Sequence, residues 1–179
     1  MSTRLVILGL LRERPLYGYE IKHIIEDHMG DWTNIAFGSI YFALRKLSEE
    51  GFVEKIATEQ EGGRPSRSVY QITETGRAEF ARLLREVWSE VERHYFTFDI
   101  GLFFSTALPV EERVEHLRDR VRQLEEIIQH VRAHMAEQLA DVHVPRLARA
   151  VFEHSLVHFQ AELDWTSGLL EAAEQGGDP

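Results

Sequence analysis

A group of side chains suited to nucleic-acid chemistry stands between residues 38 and 50. At helical spacing the outward face carries Gly38, Phe42, Arg45 and Glu49, and it is flanked by Ser39, Tyr41 and Lys46. A guanidinium can donate two hydrogen bonds to the edge of a guanine, and an ammonium can neutralise a phosphate. The alternative is that the two cations are ordinary solvated surface charges. This mixture of glycine, aromatic and cationic residues is unusual for a solvated helix face, which more often carries Glu and Lys.

These side chains need a helix to hold them, and the other face of the same segment predicts one. Ile40, Leu44 and Leu47 recur at the spacing of a buried helical stripe, and Gly51 follows as a stop signal. We therefore expect a helix over residues 36–50. Two shorter helices are predicted before it, over residues 3–13 and 17–29.

Two strand signals follow this helix and enclose a basic turn. Residues 52–58 and 68–73 are rich in β-forming side chains, and Gly62-Gly63 between them favours a turn. Arg64 and Arg67 make the turn basic. Thr73 can cap a fourth helix, with Thr75 competing for that role. Three helices, two strands and a helix are the order of a winged helix-turn-helix.

The second half of the chain is predicted to be helical. From Val110 to Met135, apolar residues step by four and three residues alternately, which is typical of a coiled-coil seam. Such a seam cannot stay exposed without aggregating, so it favours pairing of two copies of the chain. A further helix is predicted to start at Pro145. The expected fold class is mainly α: a winged helix-turn-helix domain over residues 1–93 and a helical dimerisation domain, with a potential effector role, over 94–179.

The net charge of −10 is unevenly distributed. Residues 1–85 contain 12 Lys/Arg and 12 Asp/Glu, whereas the rest contains 8 and 18. The acidic excess therefore belongs to the second half, and the first half can present a local basic face to a phosphate backbone.

The sequence argues against an enzyme, a cofactor and a membrane protein. It has no cysteine, no phosphate loop, no dinucleotide fingerprint and no nucleophile elbow. The apolar run at residues 5–11 is too short to span a membrane and lacks a cleavage site, so we expect a cytoplasmic protein.

Two histidine pairs have a spacing that can hold a metal ion. His130 and His134 are four residues apart, and so are His154 and His158. No carboxylate stands as it does in the zinc-hydrolase helix motif. Our interpretation is that these are solvated or interface histidines and that the protein holds no metal; metal binding is the alternative.

Four motifs in order resemble one known family. They are Leu16-Tyr17-Gly18-Tyr19-Glu20-Ile21, Gly38-Ser39-Ile40-Tyr41, Leu44-Arg45-Lys46-Leu47-Ser48-Glu49-Glu50-Gly51, and Gly63-Arg64-Pro65 with Tyr70-Gln71-Ile72-Thr73-Glu74-Thr75-Gly76-Arg77. Together they resemble the PadR family of bacterial transcriptional regulators over the first half of the chain. Phe42 stands where that family usually has proline. The helical second half looks like the longer subfamily, which has a C-terminal dimerisation domain.

The resemblance implies a repressor that binds a palindromic operator in double-stranded DNA as a homodimer and responds to a small aromatic or hydrophobic effector. The residues then expected at bases or sugars are Ser39, Tyr41, Phe42 and Arg45. Those expected at phosphates are Asn34, Lys46, Arg64 and Arg67. The alternative is a winged helix that binds other proteins and has lost DNA binding, which the acidic second half would suit.

Aromatic residues are dense where the two halves meet, over residues 95–104. One hypothesis is that Tyr95, Phe98 and Phe103 line the pocket for an effector, because such sites are mostly apolar. The other is that these rings form the core between the two domains.

Overall fold

In the computed structural model, which describes residues 2–59, 67–140 and 147–176, the chain divides into two units, residues 1–92 and 93–179. The first unit contains, in order, α1 (Ser2–Glu13), β1 (Leu16–Tyr17), α2 (Gly18–Met29), α3 (Phe37–Glu49), β2 (Val53–Glu59), β3 (Arg67–Ile72) and α4 (Glu74–Ser89). This order confirms the expected winged helix-turn-helix.

The wing is built on a sheet of three antiparallel strands in the order β1-β3-β2. Val53 pairs with Ile72 across β2 and β3, and Leu16 pairs with Tyr70 across β1 and β3. The sequence predicted only two strands, and it began the second helix at Tyr17. Tyr17 instead pairs with Val69, and its amide donates to the Glu20 carboxylate at 2.8 Å, so α2 starts at Gly18.

The end of α3 is fixed by a turn at Gly51. The Phe52 amide donates to the Leu47 carbonyl at 2.9 Å, and the Gly51 amide donates to the Ser48 carbonyl at 3.2 Å. This pair of bonds is a Schellman motif, which needs a left-handed residue after the helix. Gly51 supplies it with a φ of 77°, and the chain turns directly from α3 into β2.

The start of α4 is attached to that same turn. Thr73 caps α4 as expected, because its hydroxyl accepts from the Gly76 amide at 3.0 Å. The hydroxyls of Thr73 and Thr75 also donate to the Gly51 carbonyl, at 2.8 and 3.0 Å. One cap therefore joins the end of α3 to the beginning of α4.

The core of the first unit lies between its helices and the sheet. The apolar stripe of α3, which faces inward as predicted, is at most 1% exposed. It forms one core with buried residues of the other helices and of all three strands. The residues of this core are Ile7, Leu8, Leu11, Leu16, Ile21, Ile25, Ile40, Ala43, Leu44, Leu47, Val53, Ile72 and Leu83. Arg4 of α1 adds ion pairs to Glu50 at 2.6 Å and to Glu79 at 3.7 Å. The Arg4 hydrogen bond lowers the pKa of Glu50.

The second unit contains three α-helices and one 3₁₀ turn among its described residues. They are α5 (Thr97–Phe103), the turn Ser105–Ala107, α6 (Val110–Gln138) and α7 (Ala148–Glu174). Ion pairs Arg118–Glu174 and Arg120–Glu162 join α6 to α7, and the His134 ring packs on Phe152. The two long helices are therefore antiparallel partners. The predicted helix start at Pro145 lies outside the described residues.

The apolar seam of α6 is used within the chain. Its four buried side chains are Leu117, Leu124, Ile128 and Val131, and α7 is the helix packed along α6. The sequence predicted that a second copy would cover this seam. That argument for dimerisation was wrong, because an antiparallel helix of the same chain buries such a stripe equally well.

No helix within the described ranges is long and apolar enough to cross a membrane. The longest two, α6 and α7, carry charged residues along their whole length.

The cap at Gly76 provides a test of the packing in the first unit. A Cβ at Gly76 would collide with the Phe52 carbonyl oxygen and lie 2.8 Å from Ile72 Cγ1. We expect Gly76→Ala to lower the free energy of unfolding by about 1–3 kcal/mol, measured by urea denaturation, because backbone must move. Gly38→Ala is the matched control, since a Cβ there meets nothing within 4 Å. Equal stability of the two variants would contradict this packing.

Candidate nucleic-acid interface

The outward face of α3 carries the side chains that the sequence singled out. Phe42 is 56% exposed and Tyr41 is 41% exposed, while Ile40 and Leu44 on the other side of the helix are buried. Arg45 and Lys46 lie beside them on the solvent side. The helix thus presents aromatic rings and two cations while its apolar stripe fixes it to the core. An exposed helix of this kind has the dimensions that the major groove of DNA admits.

The two cations are held in place by one carboxylate. Lys46 Nζ donates to Glu49 Oε2 at 2.8 Å, and Arg45 Nε lies 3.8 Å from Glu49 Oε1. The Lys46 hydrogen bond lowers the pKa of Glu49, because it stabilises the charged form of the carboxylate. The Arg45 guanidinium also lies over the Phe42 ring, 5.4 Å from its centroid. Sequence reasoning placed Glu49 on this face but gave it no role.

Ser39 and Tyr41 have structural duties as well as exposed surface. The Ser39 hydroxyl donates to the Ala36 carbonyl at 2.6 Å in the first turn of α3, which leaves its oxygen able to accept. The Tyr41 ring lies against the start of α2, because a Cβ at Gly18 would be 3.1 Å from Tyr41 Cε1. Tyr41 therefore both spaces α2 from α3 and reaches solvent.

The remaining predicted DNA contacts are placed less completely. Asn34 is exposed in the segment before α3. Arg67 opens β3, and its side chain lies outside what the structure describes. Arg64 lies outside the described residues. Within the described part of the chain, α3 thus brings together Ser39, Tyr41, Phe42, Arg45 and Lys46.

A separate cavity of about 240 Å³, partly open to solvent, lies in the second unit. Its walls are mostly apolar, and two basic side chains interrupt them; the lining residues are Phe98, Gly101, Leu102, Ser105, Leu108, Arg113, His116 and Leu117. The cavity is slightly smaller than a typical site for a drug-sized ligand, which occupies about 300–1,000 Å³. Its size and lining suit a small molecule with one ring and a polar group.

Only one of the three predicted pocket aromatics lines this cavity. Phe98 does so, and its ring packs on Trp165 at 5.9 Å and on the Arg120 guanidinium at 4.0 Å. Tyr95 and Phe103 are 79% and 81% exposed in the single chain and are not among the lining residues. Sequence reasoning missed Arg113 and His116, because a helix that carries four further arginines gives no local signal that sets these two residues apart.

Comparison with known proteins relates the chain to a family of transcriptional regulators. The profile of the family described as "Transcriptional regulator PadR-like family" matches residues 7–82, which include α2, α3 and the wing. The negative transcriptional regulator PadR of Bacillus subtilis is 25% identical over 151 residues, covering 84% of this chain and 82% of that protein.

Solved structures share the fold over nearly the whole chain. The crystal structure of Bacillus subtilis PadR in complex with operator DNA has a TM-score of 0.81 at 22% identity, covering 97% of this chain and 99% of that one. The structure of Bacillus subtilis PadR in complex with p-coumaric acid has a TM-score of 0.75 at 20% identity, covering 96% and 94%.

The hold of Glu49 on two cations generates a prediction. We expect Glu49→Gln to tighten binding to double-stranded DNA of any sequence by about two- to fivefold at low salt, because both cations become available to phosphates. Fluorescence anisotropy measures this directly. Glu153→Gln is the control, since Glu153 pairs with Arg149 at 3.9 Å in the second unit, also with i,i+4 spacing. An equal gain in both variants would show that net charge alone is responsible.

Proposed function

We propose that this chain, whose residues 7–82 match the PadR-like family of transcriptional regulators, is a ligand-responsive repressor that binds a palindromic operator as a homodimer. The observation that carries this proposal is the outward face of α3, where Phe42, Arg45 and Lys46 stand exposed on a helix anchored from behind. As a bacterial-type regulator, it would act in the cytoplasm, where it meets chromosomal DNA.

In this proposal α3 enters the major groove. Arg45 donates to the edge of a guanine, and Ser39, Tyr41 and Phe42 contact bases or sugars. Lys46 and Asn34 contact phosphates. The wing arginines Arg64 and Arg67 contact the phosphate backbone of the DNA or enter the adjacent minor groove. Binding would exchange the Glu49 contacts of Arg45 and Lys46 for contacts with DNA.

A homodimer is supported by the apolar side chains that remain exposed on the second unit after α6 and α7 have packed. Several are more than half exposed: Ile100, Phe103, Phe104, Leu147 and Val157. A set of this size is typical of a surface that a partner covers. A two-fold dimer would place two copies of α3 on half-sites about one helical turn, roughly 34–36 Å, apart. Symmetry of the protein is then the reason for a palindromic operator.

The effector proposal rests on the cavity in the second unit. A structural neighbour, Bacillus subtilis PadR, was solved with p-coumaric acid, a small aromatic carboxylic acid. In this chain, Leu102, Leu108 and Leu117 could enclose a ring, while Arg113 and His116 could meet an acidic group. Such a ligand would lower the affinity for DNA by favouring a conformation that cannot place both α3 helices on their half-sites.

The first experiment measures anisotropy of labelled upstream DNA from the chain's own locus, with scrambled DNA as control, over a salt series. We expect tight binding to the native duplex only, two chains per duplex, and a steep loss of affinity with salt. Arg45→Ala should cost about 1–3 kcal/mol on the native duplex and little on the scrambled one.

Arg149→Ala is the matched control, because Arg149 is 61% exposed against 66% for Arg45 and has a similar i,i+4 acidic partner. It should bind as the parent does. One chain per duplex would contradict the homodimer. No binding to either duplex at low salt would favour a winged helix that binds proteins.

The second experiment adds p-coumaric acid as a probe to the protein–DNA complex. We expect release of the DNA and a rise in Tm of the free protein, since the ligand stabilises the state it binds. Leu102→Trp should abolish both effects by filling the cavity, whereas Glu115→Trp, on the exposed side of α6, should keep them. Equal responses in the two variants would place the ligand elsewhere.

A further inference from the structure

One turn of α7 holds two imidazoles side by side. His154 Nε2 and His158 Nε2 are 3.1 Å apart, and the ring centroids are 4.6 Å apart at 80°. Both side chains are exposed in the single chain. The i,i+4 spacing brings the two rings together, and in the free chain one imidazole donates a hydrogen bond to the other across this separation. A metal ion would take the place of the shared proton.

The separation of these nitrogens matches a chelate. Two nitrogens that each lie about 2.1 Å from one ion are about 3.0 Å apart at a right angle and about 3.4 Å apart at the tetrahedral angle. The observed 3.1 Å lies between these values. We propose that His154 and His158 chelate a late first-row transition-metal ion of the Ni²⁺, Cu²⁺ and Zn²⁺ class, for which imidazole is a preferred ligand.

The surroundings of the pair favour this role. The His94 ring packs edge-on against His158, with centroids 6.3 Å apart, and so restricts that ring. The second half of the chain is strongly acidic, and the sequence contains no cysteine that would compete for the ion. No group of three or more ligating side chains converges within the described residues, so the protein supplies two ligands and water completes the coordination sphere.

The other histidine pair of the same spacing lacks this geometry. The His130 and His134 rings are 6.2 Å apart and tilted by 35°, and His134 packs edge-on against Phe152 at 5.5 Å. Rotating His134 toward His130 would give up that contact. The proposal therefore distinguishes two pairs that the sequence leaves equivalent, and it replaces our expectation of no metal for one of them.

The test is calorimetric titration of NiCl₂ into the full chain, expressed without a histidine tag and stripped with EDTA, in a buffer that does not bind metal. We expect one ion per chain. The double variant His154→Gln/His158→Gln should weaken binding by about tenfold or more, because both imidazole ligands are lost. His130→Gln/His134→Gln is the matched control and should bind as the parent does.

A second readout checks the position of the ion without relying on variants. A cross-link between residues 154 and 158 holds one helical turn, so Ni²⁺ should slow amide hydrogen exchange in α7 around residues 154–162 and not in α6 around 130–138. Absence of a binding heat in the parent, unchanged binding after loss of His154 and His158, or protection confined to α6 would each overturn the proposal. None of these outcomes depends on DNA binding.

Discussion

The arrangement of the first unit depends on the hydrogen bonds that the carbonyl oxygens of Gly51 and Phe52 accept; we call this set of contacts the joint. The Gly51 oxygen accepts from two threonine hydroxyls, and the Phe52 oxygen accepts from the Thr73 amide at 3.0 Å while touching Gly76. These bonds join the end of α3, the base of the wing and the start of α4 within a few ångströms. Since both wing strands begin or end at this joint, the position of the wing relative to α3 is set here. Arg4 reinforces the joint through Glu50 and Glu79.

In the proposed function, the outward face of α3, which the core fixes from behind, is the surface that meets the anionic DNA. Glu49 forms ion pairs with both Arg45 and Lys46 in the free protein, and the Arg45 guanidinium packs over the Phe42 ring. An exposed ion pair of this kind is worth little to stability, so exchanging it for contacts with phosphates or bases costs little. In that proposal the same carboxylate would oppose non-specific binding to polyanions, because its negative charge stands beside both cations.

The second unit divides its apolar surface between two uses. The apolar stripe of α6 is buried against α7. The apolar surface that stays exposed therefore lies on α5 and on the outer sides of the two long helices. Phe98 links the two uses, because it lines the cavity and also contacts Arg120 of α6 and Trp165 of α7. A ligand in the cavity would therefore act on side chains that hold all three helices together.

The sequence by itself determined the elements that depend on neighbours along the chain. The stripe Ile40, Leu44 and Leu47, the stop at Gly51 and the cap at Thr73 are local patterns, and the motifs around them were enough to indicate the family. Only the tertiary structure decided what contacts each face. β1 joins the sheet of the wing, and α7 packs on the apolar seam of α6. Glu49 forms ion pairs with Arg45 and Lys46, and the His154–His158 pair is in close contact while the His130–His134 pair is not. Periodicity states that a face will be buried or exposed, but the partner of that face is chosen by side chains that are distant in sequence and meet only in the folded chain.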